Sequence, residues 1–481
     1  MIKHILLIAL LAWASGNANA QDVRWTTVLD SASIFSSPRF IDLNNDDTLD
    51  VIIGAGNEGY RIQNGIVALD GRNGELLWRV QSETQIYTSA LFQDINNDSV
   101  PDVFIAGRNV SLFAICGKTG EVIWEFWSKK KGYWKESGYY NFYSTQWLDD
   151  QNEDGFKDLL VANGGDATIM PDDFNRPTGK LMIISGLNGE VLHESLVPHA
   201  RETYYAPHIH SNYGEDSLAI IFATGGEKID GNLWEVSLSE LKQNDISNAR
   251  ILLNDTVKGF IVNSVLADLN DDDYLDIVNA RINGGVSAVD GKTHAILWEH
   301  RFPNHECYVA PSAGNFTGDA TPDIFIMNAE GSFPGYTSFN QLVIDGATGE
   351  IVYKASEGAY QFASGIAVDY NQDGWDEIIF LQNTVDMETY STTNTIKIID
   401  FHNDTTFTVG ETRYGACFSS TPSLVDLDNN GTMELVFVYS NSFDEEKEYG
   451  KIECIDLKVK DQNPSFPCYL GTLENGIFIK E

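Results

Sequence analysis

One pattern recurs along the chain and constrains the fold more than any other feature: an apolar run, a cluster of Asp and Asn, then a second apolar run. Its first copy reads Phe40-Ile41-Asp42-Leu43-Asn44-Asn45-Asp46-Asp47-Thr48-Leu49-Asp50-Val51-Ile52-Ile53. Relatives begin at Asp94, Asp150, Asp268, Asn315, Asp369 and Asp426, giving spacings from Asp42 onward of 52, 56, 118, 47, 54 and 57 residues. The doubled gap holds a degenerate copy near Ser211-Asn212-Tyr213-Gly214-Glu215-Asp216, followed by a strand-like run at 218–223, which makes eight units.

A repeat of this length with several short β-runs cannot bury both faces of its own small sheet, so neighbours must cover it. Radial stacking does this, and closing the ring leaves no long free edge. The expected fold is therefore an all-β, eight-bladed β-propeller of four-stranded blades, filling 21–481 as one domain. Seven blades is the alternative if the degenerate unit and the closing strand are misread. Within a unit the acidic loop joins strand A to strand B. A third run, C, ends in a tight turn before a fourth, D, as in Ile66-Val67-Ala68-Leu69-Asp70-Gly71-Arg72-Asn73-Gly74-Glu75-Leu76-Leu77-Trp78. The turn returns as Cys116-Gly117-Lys118-Thr119-Gly120-Glu121 before Trp124, Asp290-Gly291-Lys292-Thr293 before Trp298, and Asp345-Gly346-Ala347-Thr348-Gly349-Glu350 before Tyr353. Glycine supplies the positive φ of such turns, and the aromatic ring is expected to wedge between blades. Residues 22–30, with Trp25, read as a D strand without its own A to C, expected to complete the last blade.

The loops place oxygen ligands at positions one, three, five and nine: Asp42, Asn44, Asp46, Asp50; Asp94, Asn96, Asp98, Asp102; Asp150, Asn152, Asp154, Asp158; Asp268, Asn270, Asp272, Asp276; Asp369, Asn371, Asp373, Glu377; and Asp426, Asp428, Asn430, Glu434. Ca²⁺ takes six to eight hard oxygens, and a tight turn adds a backbone carbonyl at position seven. Several structural Ca²⁺ ions are the expectation, against the plainer reading of acidic turns without metal. Asn315, Thr317, Asp319 and Asp323 form a weaker copy with two carboxylates.

These loops resemble the FG-GAP repeats of integrin-α-type propellers, and the Asp-Gly-x-Thr-Gly-Glu turns with their aromatic resemble the blades of quinoprotein (PQQ-type) propellers. The resemblance spans essentially the whole chain after residue 20. It implies the fold and the metal, while both families host many activities on one scaffold. Quinoprotein catalysis is a minor alternative, because the adjacent cysteine pair found in many such alcohol dehydrogenases has no counterpart here. No nucleophile elbow, phosphate-cradling loop or paired-carboxylate signature stands out either.

Charge and the first residues bound the setting. With 70 acidic against 31 basic side chains, the chain repels polyphosphates, so nucleic acid is not an expected partner. Lys3 and His4, an apolar stretch from Ile5 to Trp13 and Ala18-Asn19-Ala20 read as a signal peptide over 1–20, which predicts a secreted or periplasmic protein without a membrane span. Five cysteines leave an odd count; Cys454 and Cys468 are the two that successive strands would bring together in an oxidising compartment.

Strand order puts the acidic loops and the C–D turns on one face and the B–C and D–A connections on the other, where the unusual residues lie. Lys131, Tyr133, Trp134, Lys135, Tyr140 and Tyr143 form a basic, aromatic island suited to an acidic saccharide; a solvated loop packed by its own rings is the alternative. Arg201, Tyr204, Tyr205 and His208 form a second group, His305 and Tyr308 a third. Near the channel, these residue types would serve β-elimination of a uronate, with a cation on the acid, a base and an acid. They equally suit a hydrogen-bonded channel lining, and a metal shared by His208 and His210 is weakly supported. The favoured function is a binding protein for an acidic glycan or a cell-surface or extracellular protein, docked opposite the calcium loops. The alternative is a polysaccharide lyase using Arg201, Tyr204, His208 and His305.

Overall fold

The computed structural model describes residues 23–57, 61–127, 134–171, 173, 175–204, 208–210, 218–319, 321–441, 448–460 and 463–478. The segments 1–20 and 211–216, together with Lys131, Tyr133, Tyr205 and the Trp134 side chain, lie outside that description. Eight antiparallel sheets, each an A–B–C–D blade, account for the described strands; in two of them the inner strand is split, adding Ser33–Ile34 and His305–Glu306 as a fifth. Blade 1 runs Arg39–Ile41, Asp50–Gly56, Ile62–Leu69 and Leu76–Ser82.

Period-two alternation explains why the blades need one another. In strand B of blade 1, Val51 and Ile53 pack with Val436, Val438 and Ile452 of the eighth blade, while Ile52 turns to Val103, Ile105 and Phe113 of the second. Every residue of that strand is buried, because both its faces are covered. The outer D strand, Leu76–Ser82, alternates instead with solvent.

The ring closes as the sequence predicts, with eight blades. Val23–Asp30 pairs antiparallel with Tyr449–Val459, setting Thr27 against Ile452, and becomes the outer strand of the blade whose A and B strands are Ser423–Val425 and Met433–Ser440. The degenerate fourth unit is a full blade: His208–His210, Ala219–Ala223, Gly231–Ser237 and Arg250–Asp255. Its C–D connection is a short helix, Leu238–Lys242, started by a capping box between Ser237 and Glu240 in place of a glycine turn.

The end of the chain departs from expectation. Residues 463–478 leave the eighth blade and cross the central channel, touching its inner strands through single bridges, Ala367 to Phe466 and Leu266 to Ile477. The A strands present unpaired edges to the channel; Leu424 donates to the Pro467 carbonyl and Leu266 to that of Gly476, both at 2.8 Å. Pro464, Pro467, Gly471 and Gly476 interrupt any strand here. Cys454 therefore lies in strand C of blade 8 and Cys468 in the channel segment, both buried free thiols, correcting the placement on successive strands. Among the described residues no helix is long and apolar enough to cross a membrane.

Candidate functional site

The acidic loops and glycine turns share one face because a buried carboxylate ties them together. Asp50, at position nine, accepts from the Leu43 amide at 2.9 Å with one oxygen and from the Gly71 amide of the C–D turn at 3.2 Å with the other. Asp102 repeats this with Ile95 and Gly117, Asp158 with Gln151 and Gly186, Asp276 with Leu269 and Gly291, and Asp323 with Phe316 and Gly346. Position one organises the turn: Asp42 accepts from Asn45 at 2.7 Å and from Asp47 at 3.1 Å.

Burial beside like charges pushes Asp50, Asp276 and Asp323 up to about 6 and Glu377 up to about 7. A carboxylate set so strained by desolvation fits a divalent cation. Among the described residues two groups bring three carboxylates within 4.8 Å of one another: Asp373, Glu377, Asp400 and Asp426, Asp428, Glu434. Asp400, at the end of strand C, is absent from the sequence-derived ligands; the equivalent Asp70, Asp290 and Asp345 mark the position just before the turn glycine. Some loops hold side-chain cations: Arg72 meets Asp46 at 2.7 Å, Arg24 meets Asp428 and Glu434 at 2.6 Å, and Lys292 meets Asp272 at 3.3 Å. The weak copy is latched to its neighbour instead, Asn315 donating from its side chain to the Gly374 carbonyl at 2.8 Å and from its amide to Asp376 at 2.6 Å.

On the opposite face the channel opens as a cup walled by Phe35, Tyr87, Tyr143, Tyr308 and Phe362. Each of these rings stands seven residues before the first ligand position of its own blade's acidic loop, in or just after the D–A connection, Tyr143 already within its inner strand Asn141–Leu148. The repeat therefore delivers an aromatic to the cup from five of the eight blades, while Ile261 and Ser419 hold the position in the fifth and eighth. Ring centroids link Phe418 to Phe35 at 6.4 Å, Phe35 to Tyr87 at 5.0 Å, Tyr87 to Tyr143 at 5.4 Å and Tyr143 to Tyr204 at 5.4 Å. Across the mouth Tyr308 and Phe362 meet at 5.3 Å. The Arg108 guanidinium lies 4.8 Å from the Tyr87 centroid. Ser37, Thr88, Ser89, Ser144 and Thr145 also line the cup, and Tyr469, Leu470 and Glu474 of the channel segment form the floor with Arg39. The ring position was readable in the repeat; the floor was not.

Of the sequence candidates, Tyr143 and Tyr308 line the cup, and Tyr204 supports it, its hydroxyl accepting from Arg176 at 2.9 Å. Arg176 also pairs with buried Glu202, a partnership with no local sequence signal. His208 is 2 % exposed; Nδ1 donates to the Asn475 carbonyl at 2.8 Å and Nε2 accepts from the Ser264 amide at 3.2 Å. Burial lowers its pKa to about 4, making it a neutral, structural ring. Arg201 pairs with Asp230 at 2.8 Å, and His305 turns to the Pro303 carbonyl at 2.9 Å. Arg201 lies seven residues ahead of its A strand and His305 in a short strand, His305–Glu306, paired with Ala329 and Glu330; neither lines the cup. The expectation that they converge there with His208 is thereby corrected. Lys135 donates to Thr168 at 2.7 Å, and Tyr140, beside Asp166, has its hydroxyl pKa raised chiefly by burial; neither belongs to the cup lining.

Known folds resemble this architecture at low identity. The quinohemoprotein alcohol dehydrogenase from Comamonas testosteroni matches with a TM-score of 0.56 and 10% identity over 92% of this chain and 78% of its own. A europium-containing methanol dehydrogenase gives 0.56 and 9% over 90% and 93%, and Sqt1 from Saccharomyces cerevisiae 0.52 and 11% over 91% and 99%. These likenesses establish the propeller fold alone. No curated protein matches the sequence. The FAM234A/B beta-propeller family model matches residues 64–361, more than half of the chain, and the chain belongs to that family.

Proposed function

We propose that this protein is an exported, calcium-stabilised binding module whose ligand is a saccharide held in the aromatic cup, on the face away from the acidic loops. The observation that carries this reading is the unbroken run of rings Phe418, Phe35, Tyr87, Tyr143 and Tyr204 above a closed floor. Aromatic faces stack on the C–H faces of sugars, and a few polar lining residues suit sugar hydroxyls. Calcium in the A–B loops would offset the repulsion among carboxylates and stiffen the opposite face. Export follows from the leader-like 1–20 segment.

The lyase reading loses support because His208 has both ring nitrogens occupied and Arg201 and His305 lie away from the cup lining. The test is a glycan array probed with the protein in calcium, followed by calorimetric titration of the bound members. Saccharide binding that Tyr87→Ala and Tyr143→Ala each weaken supports the reading. An array without a single bound member, or binding indifferent to both variants, contradicts it.

A further inference from the structure

At the bottom of the cup sits an ion pair in a lining otherwise without charge: Arg39 is the one basic and Glu474 the one acidic residue among the described residues of the lining. Arg39 belongs to the inner strand of blade 1 and is 2 % exposed. Its Nη2 donates to the Tyr469 carbonyl at 2.8 Å, and its Nε lies 3.0 Å from Glu474 Oε1. Nε, although paired in charge with Glu474, and Nη1 are both buried without a hydrogen-bond partner, and the Cys468 thiol lies beside the guanidinium. The guanidinium fork is thus half used, although planar two-point pairing with a carboxylate is what that group does best. A buried charged donor left unmatched is costly, and such a group calls for an explanation in its site.

Glu474 is the less committed partner. Its side chain is 32% exposed, and it belongs to the channel segment and to no blade. Its backbone is held at φ 57°, between Gly471 and Gly476 at φ 74° and 82°, in the region that L-residues other than Asn and Asp seldom occupy. No strand ladder fixes this loop; the Glu474 amide donates to the Gly471 carbonyl at 2.9 Å. The Arg39 end is fixed in a sheet; at the other end the Glu474 backbone is tethered, its carbonyl accepting from Gln146 at 3.4 Å and that of Asn475 from His208 at 2.8 Å, while the Glu474 side chain is held by Arg39 alone among the described residues.

Resting on the reading of the cup as a saccharide site, we propose that Arg39 reads the carboxylate of a sugar acid and that Glu474 is the internal carboxylate this ligand displaces. The rings of Tyr87 and Tyr143 take the sugar faces while the acid reaches the floor. The arrangement is selective, because a neutral sugar gains nothing from displacing Glu474, whereas a uronate replaces one carboxylate by another that can use the idle Nη1. Displacement also loosens the channel segment, so acid binding is coupled to its order.

The test pairs oligomers of galacturonate, glucuronate and mannuronate with their methyl esters, which keep size and shape and remove the charge. Each pair is titrated into the wild type, Arg39→Gln and Glu474→Gln, with thermal melts to verify folding. The expected result is at least tenfold tighter binding of an acid than of its ester by the wild type, and a further several-fold gain for the acid alone in Glu474→Gln. Arg39→Gln, where it folds, binds both alike. Equal binding of acid and ester by the wild type, or weaker acid binding in Glu474→Gln, overturns this inference while leaving the saccharide reading intact. Binding of neither acid nor ester by any pair overturns both.

Discussion

The indole Nε1 of Trp78 donates to the carbonyl of Gly117 in the next blade at 2.6 Å, and the ring covers Gly120, whose added Cβ would come within 2.8 Å of it. Trp25 does the same with Gly71 and Gly74, Trp124 with Gly186 and Gly189, and Trp298 with Gly346 and Gly349. The turn therefore needs both glycines. The first lets the A–B loop approach and offers the carbonyl. The second adopts positive φ under an aromatic ring. Gly120→Ala should cost about 3 kcal/mol, combining left-handed strain with overpacking. Gly138→Ala, also at positive φ but with open space around it, should cost about 1 kcal/mol. Urea unfolding midpoints check this, and equal losses would remove the interblade wedge from the account.

The channel segment should be an integral part of the fold. Phe466 is 1 % exposed and packs with Ile324, Phe325 and Phe380. Phe466→Ala should destabilise by about 3–5 kcal/mol, as for other buried aromatics, measured by the same unfolding curves. A loss under 1 kcal/mol would mean that the segment merely rests on the ring.

Calcium removal should lower the melting temperature, because each ion bound only by the native state adds stability by mass action. Arg72, already on Asp46 in the first loop, would compete with an ion there. Arg72→Ala should therefore raise calcium affinity at one site, while Asp98→Asn in the second loop should remove about one ion per chain from the titration. A melting temperature indifferent to chelator contradicts the calcium reading.

His208 makes a pH prediction with a definite sign. Its folded pKa, about 4, lies below the ordinary imidazole value because burial disfavours the charged ring. Between those values the unfolded chain binds the extra proton, so the contribution is complete above about pH 6.5 and is lost as pH falls towards 4. His208→Gln, which does not titrate, should flatten the acid limb of stability against pH relative to the wild type. The difference should approach at most about 3 kcal/mol by pH 4. Parallel curves would refute the assignment.

How much of this was legible in the sequence follows from the range of the interactions. The loop at Asp42, the turn at Gly71 and the wedge of Trp78 are local, repeat at a fixed spacing and specify the blades. Even the closing strand around Trp25 carries the D-strand signature. The cup aromatics stand seven residues ahead of five of the loops, but Ile261 and Ser419 break the pattern ahead of two others. Position nine looked like a metal ligand alone; that Asp50 also anchors the next turn depends on tertiary proximity to Gly71. His208 was read as a candidate base because its partner at Asn475 is 267 residues away. The Arg39–Glu474 pair was hidden for the same reason: a proline- and glycine-interrupted tail announces no strand, and its destination in the channel is set by the free edges of blades it does not resemble.

The most direct test of the central claim compares the two faces in one titration, using the tightest saccharide from the array with wild type, Tyr143→Ala and Asp98→Asn in saturating calcium. The account predicts at least a tenfold loss of affinity for Tyr143→Ala, on the cup wall, as expected for a stacked ring, and a change within twofold for Asp98→Asn on the far face. Equal affinity in wild type and Tyr143→Ala would contradict it.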